Sequence, residues 1–242
     1  MSLSFIEAPS PNFDARKAVP DTVVLHYTGM ETGEAAIERL RDPEAKVSAH
    51  YCVEEDGRVF RLVPEERRAW HAGAAFWKGV KDINSASIGI EIVNPGHEFG
   101  YRPFPDAQIA AVINLLADVR SRWMIPDSRI LGHSDIAPAR KIDPGELFPW
   151  KRLAESGHGL WIEPAPSPGA PLGQGEEGTG VFALQAGLTR LGFDCAPTGK
   201  YDEWTTTIVA AFQRHWLQSR FDGVADGETR ARLVGLLRAA AD

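Results

Sequence analysis

Cysteine is nearly missing from this chain: two in 242 residues, Cys52 and Cys195. They lie far apart and neither has a second cysteine nearby, which argues against a disulfide framework and against a thiolate metal site. Long apolar runs are missing as well, and no window approaches the length of a membrane-spanning helix. There is no basic excess either. The 26 Lys and Arg stand against 33 Asp and Glu, a net charge of -7, so a nucleic-acid backbone is not expected as the main partner. The opening, Met1 to Lys17, has no basic start followed by an apolar run and no lipid-attachment cysteine. As written, the expected location is cytoplasmic; removal of a leader would make it periplasmic or wall-associated.

What is there begins with an ordinary globular composition, 43% hydrophobic and 24% charged, enough for one medium domain and a small one. Functional residue types concentrate in Gly132-His133-Ser134-Asp135-Ile136-Ala137-Pro138-Ala139-Arg140-Lys141-Ile142-Asp143-Pro144-Gly145. The Pro and Gly residues favour an irregular loop over a helix. The apolar Ile130-Leu131 before it should deliver His133 at the end of a short strand. Lys141 and Asp143 stand two apart, so in an extended segment both side chains leave on one side. Zinc takes neutral imidazole and carboxylate ligands, and a catalytic zinc keeps three protein ligands and one open corner. His133 and Asp143 supply two. The third candidate is His26, which ends the apolar run Thr22-Val23-Val24-Leu25-His26-Tyr27, a pattern expected of a buried strand. Taken alone, His26 would read as a hydrogen-bonded core histidine.

Ser87-Ile88-Gly89-Ile90-Glu91-Ile92-Val93 alternates strictly, with the isoleucines on one face and Ser87, Gly89 and Glu91 on the other. A mid-strand carboxylate is costly to bury unless it is paired or functional. The small residues at 87 and 89 would leave open space beside it. Glu91 is therefore the candidate general base, the alternative being an ion-paired structural glutamate. Lys141 is the group expected to face a carbonyl oxygen and stabilise charge developing there. With His26, His133 and Asp143 around zinc, the reaction expected is amide hydrolysis without a covalent intermediate.

The remaining segments are scaffolding or groove. Glu34 to Arg41 reads as a short helix. Val47 to Val53 and Arg58 to Val63 flank Asp56-Gly57, a strong hairpin signal, which makes His50 a strand residue that is structural or groove-lining. Ala69-Trp70-His71-Ala72-Gly73 could line a sugar or peptide groove. A helical stripe starts at Asp106, the expected N-cap, and runs through Ile109, Val112, Leu116 and Val119. After Trp150 a Pro- and Gly-rich stretch cannot form a regular element, and three helical patterns follow it.

Together the segments Val24 to Thr28, Val47 to Tyr51, Ala69 to Gly73, Ser87 to Glu91 and Gly132 to Gly145 resemble the zinc-dependent N-acetylmuramoyl-L-alanine amidases of the type 2 amidase family, in its AmpD/AmiD-like branch. The resemblance implies an α/β fold, a central mixed β-sheet flanked by helices. It implies Zn2+ on His26, His133 and Asp143, with Glu91 and Lys141 catalytic. It further implies cleavage between N-acetylmuramic acid and the L-alanine of the stem peptide. Arg140 looks like the position that meets substrate, beside Trp70, His71 and His50. Ala183-Leu184-Gln185, Ala211-Phe212-Gln213 and Asp226-Gly227-Glu228-Thr229 resemble a peptidoglycan-binding three-helix domain, which either holds wall or packs on the catalytic part. The expected division is 1–160 catalytic, 161–178 linker and 179–242 helical, in a monomer acting on peptidoglycan fragments or murein. The competing expectations are a recognition protein that binds muropeptide without cutting it and a zinc deacetylase of the sugar amide.

Overall fold

The computed structural model describes residues 4–240; residues 1–3, part of the opening read above for an export signal, and 241–242, the end of the helical module, lie outside the described residues. In chain order the strands are β1 (Phe5–Glu7), β2 (Phe13–Ala15), β3 (Thr22–Tyr27), β4 (Tyr51–Val53), β5 (Val59–Arg61), β6 (Arg67–Ala69), β7 (Ser87–Ile92) and β8 (Ile130–Gly132). The helices are α1 (Gly33–Arg41), α2 (Ile83–Ala86), α3 (Gly96–Phe99), α4 (Asp106–Arg122), α5 (His133–Ile136), α6 (Trp150–Glu155), α7 (Thr179–Leu191), α8 (Glu203–Trp216) and α9 (Gly227–Ala239).

Six strands form one mixed sheet in the order β1-β5-β4-β7-β3-β8, and β2 pairs with β6 separately. β8, β3, β7 and β4 run parallel, and β5 returns antiparallel to β4. Parallel strands are covered on both faces and so are apolar almost throughout. Val23 and Leu25 of β3 and Ile88, Ile90 and Ile92 of β7 face the buried stripe Ile109, Val112, Leu116 and Val119 of α4. The β3–β7 register opposes Val24 to Gly89 and His26 to Glu91. Both polar side chains therefore leave from the other face, side by side near the C-terminal ends of their strands. Glu91 is the fifth of six strand residues, not mid-strand as its alternation suggested.

On the other face the C-terminal helices cover the β3–β8 side, while Leu40 and Ile37 of α1 pack near Cys52 and Leu62 at the β4–β5 side. One buried cluster runs from Val24, Leu131 and Ile136 through Trp77 into Leu188, Phe193, Phe212 and Trp216, with Trp161, Ile162 and Leu172 packed against it. The segment between the two sequence regions carries no helix or strand, yet its apolar side chains join that core. The bundle is anchored at its starts by Asp202, whose carboxylate accepts the Thr205 amide at 2.8 Å, and Asp226, which accepts the Thr229 amide at 2.8 Å.

Three local expectations are corrected. His50 precedes β4 and does not belong to it. Asp106 is the first residue of α4, after Pro105 at the cap, and its carboxylate pairs with Arg152. The 132–145 stretch is not wholly irregular: His133 opens α5, because the Asp135 carboxylate accepts the Gly132 amide at 2.7 Å and closes a turn there.

Candidate active site

The strand ends and the α5 segment bring His26, His133 and Asp143 to one point, all three buried. His26 Nδ1 lies 2.9 Å from His133 Nδ1, and Asp143 Oδ2 lies 3.1 Å from each. The Ser134 amide donates to the Asp143 carbonyl at 2.9 Å, so a backbone bond ties the two residues' segments together.

The hydrogen bonds at the far side of each ring decide what the inner nitrogens can do. His133 Nε2 lies 3.0 Å from the Ala72 carbonyl, which can only accept, so the proton is on Nε2. Ser87 Oγ donates to the Ile83 carbonyl at 2.6 Å and can then accept from His71 Nε2 at 3.2 Å. That leaves His71 Nδ1 to accept from His26 Nε2 at 3.1 Å. Each inner Nδ1 is thereby assigned a bare lone pair by its network. Burial, reinforced by His133, pushes the His26 pKa down to about 4, so its imidazole is neutral at pH 7.

Three lone-pair atoms facing one another repel unless a cation lies between them. Tetrahedral zinc with ligands at 2.0–2.1 Å spaces them by about 3.3 Å, close to the triangle found, and each ring's outer N–H is held as metal-bound imidazoles require. The donor set fits zinc.

Glu91 stands beside this triad. Burial raises its pKa well above the ordinary value and the Asp143 charge adds to that, while Lys141 opposes. Its Oε2 is buried with no hydrogen-bond partner among the described residues. A cleft of about 420 Å³ is lined by all five residues and by Trp70, His71, Arg140, Tyr27 and His97.

The groove residues read from sequence divide. Trp70 and Arg140 line the cleft, but the Arg140 guanidinium also donates to the Ala72 and Ala74 carbonyls at 2.8 and 2.9 Å, bracing the loop that holds His133. His71 lines it with both ring nitrogens engaged. Its ring fills the space expected to be open beside Glu91: a Cβ on Gly89 would come within 2.4 Å of it. His50 is absent from the lining and is corrected to a support. It is fully buried, accepts the Gly89 amide at 2.9 Å and donates to the Arg67 carbonyl at 3.0 Å. Burial and the neighbouring Arg16 charge lower its pKa to about 3. Sequence reasoning missed Ser87 as a partner of His71, although its place on the Glu91 face was legible from the alternation. It also missed Arg16, whose guanidinium reaches the carbonyls of Glu65, Ser85, Ser87 and Arg67; no local pattern marks such a residue.

Residues 16–146 match the family model described as N-acetylmuramoyl-L-alanine amidase, and residues 177–233 match that of a peptidoglycan binding domain. The chain is 35% identical over 235 residues to the N-acetylmuramoyl-L-alanine amidase AmiD of Escherichia coli, covering 89% of this chain and 81% of that protein. The structure of E. coli AmiD with the substrate anhydro-N-acetylmuramic acid-L-Ala-D-gamma-Glu-L-Lys superposes with a TM-score of 0.77 at 34% identity, over 93% of this chain and 92% of that one. AmpDh3 from Pseudomonas aeruginosa in complex with anhydromuramic pentapeptide gives 0.75 at 28% identity, over 91% and 92%. Matched over more than half its length by the first family model, and alike to AmiD from the sheet through the terminal helices, the chain belongs to the N-acetylmuramoyl-L-alanine amidase family.

Proposed function

We propose that this chain hydrolyses the amide joining N-acetylmuramic acid to the L-alanine of the stem peptide, in peptidoglycan or in muropeptides of the anhydro or ordinary form, with Zn2+ held by His26, His133 and Asp143. The observation that carries the reading is the convergence of three bare lone pairs within 3.1 Å, in an open cleft that also holds Glu91, a carboxylate with one buried, unpartnered oxygen. A zinc ion held there would act as a Lewis acid and make the attacking water acidic enough to give up a proton near neutral pH. The chain's own residues do the rest. Glu91, its elevated pKa reflecting a proton affinity raised by burial, takes the proton of the attacking water and returns it to the departing alanine nitrogen. Lys141, which lines the same cleft as Asp143, offsets charge on the carbonyl oxygen in the transition state, a contribution of about 3 kcal/mol for such groups. Arg140 and Trp70 at the rim offer a charged and an aromatic surface to the stem peptide and the sugar.

The test is product analysis with the zinc-loaded full chain and a purified muropeptide. Mass spectrometry is expected to show a free stem peptide beginning with L-alanine. Loss of acetate alone would assign a deacetylase, and tight binding without products would assign a recognition protein.

A further inference from the structure

His215, near the end of α8, belongs to the C-terminal bundle and is 2% exposed. Its ring is sandwiched between two indoles, Trp150 at 3.6 Å and 20° and Trp216 at 3.7 Å and 5°. Its Nδ1–H donates to Asp135 Oδ2 at 2.7 Å, and the same oxygen accepts the Gly132 amide at 2.7 Å. The other Asp135 oxygen is buried without a partner among the described residues, so this carboxylate leans on two bonds alone. One of them sets the turn from β8 into α5, at which His133 leaves the backbone. The bundle also grips the other end of the same segment: Gln218 Nε2 donates to the carbonyls of Glu146 and Phe148 at 2.6 and 2.7 Å, shortly after Asp143.

We propose that His215 is a positioning residue for the metal centre, holding Asp135 so that the Gly132 turn presents His133, and that the C-terminal bundle is therefore a structural part of the site. The proposal rests on the zinc reading above. It is tested on full-length variants. His215→Phe keeps a flat ring between the indoles and removes the donor. His215→Asn places an amide nitrogen near the position of Nδ1 and gives up most of the stack. Three quantities are measured: zinc affinity by chelator competition, the visible absorption of the cobalt-substituted protein as a reporter of ligand geometry, and the melting temperature of the metal-free protein.

The expected result is that His215→Phe binds zinc about tenfold more weakly, the scale of lost outer partners at metal sites, with an altered cobalt spectrum, while His215→Asn stays near the unmutated affinity and spectrum despite its lower melting temperature. Equal affinity and identical spectra in all three proteins would overturn the inference alone. So would losses in affinity that follow melting temperature and not the presence of the donor. An unmutated chain that holds no zinc would overturn the metal reading and, with it, this one.

Discussion

Each central imidazole presents one nitrogen to the cation site and binds the protein through the other. His133 is held by the Ala72 carbonyl and His26 by a chain through His71 and Ser87 that ends on the Ile83 carbonyl. Glu91 differs in kind, since neither its burial nor its unpartnered oxygen contributes to holding those rings. Binding and turnover should therefore separate by residue. Glu91→Ala is expected to retain stoichiometric zinc and lose turnover by about 10²–10⁴-fold, the usual worth of a positioned base; metal analysis beside a muropeptide assay reads both. His133→Ala is expected to lose the metal. Full activity in Glu91→Ala would remove the base assignment.

At the scale of elements, β7 is built for two jobs on its two faces. Ile88, Ile90 and Ile92 bury against α4, while Ser87, Gly89 and Glu91 serve the site. Gly89 is the position where these demands meet, because its amide binds His50 and the space where a Cβ would stand belongs to His71. Gly89→Val suits a strand by propensity but forces the His71 ring away from His26. We expect it to cost about 1–3 kcal/mol in denaturant unfolding, the range for overpacking a tight core, and to weaken zinc binding in the same protein. A variant with unchanged stability and unchanged metal affinity would show that the ring yields freely.

For the whole molecule, the shared core has a thermodynamic consequence. Since Val24 and Leu131 of the sheet lie in one cluster with Leu188 and Phe212 of the bundle, the two sequence regions should unfold together, as one calorimetric transition. That transition should depend on pH in a stated direction. His26 and His50 have folded pKa values lowered to about 4 and about 3, against an ordinary 6.5. Between pH 6.5 and 4 the unfolded chain takes up protons that the folded chain refuses, so stability falls as pH falls through this window. Across two pH units this amounts to about 2.7 kcal/mol for each of the two histidines, or roughly 5–10 °C for each in a chain of this size. Scanning calorimetry of the metal-free protein at pH 7, 5.5 and 4.5 checks both points. Two resolved transitions, or a melting temperature flat across that range, would contradict them.

Much of this was legible in the sequence because it depends on short-range periodicity. The period of two in β7 put Ser87, Gly89 and Glu91 on one face, the apolar runs marked β3 and β8, and the Asp-Gly turn marked the β4–β5 hairpin. What sequence could not decide was which groups meet across long loops. His50 and His71 look alike along the chain, yet one is buried as a support bonded to the Gly89 amide and the other fills the site over Gly89. Nothing local to α8 marks His215 as the partner of a carboxylate 80 positions away. Alternation fixes the face on which a side chain leaves its own strand; the packing of distant elements alone determines what it finds there.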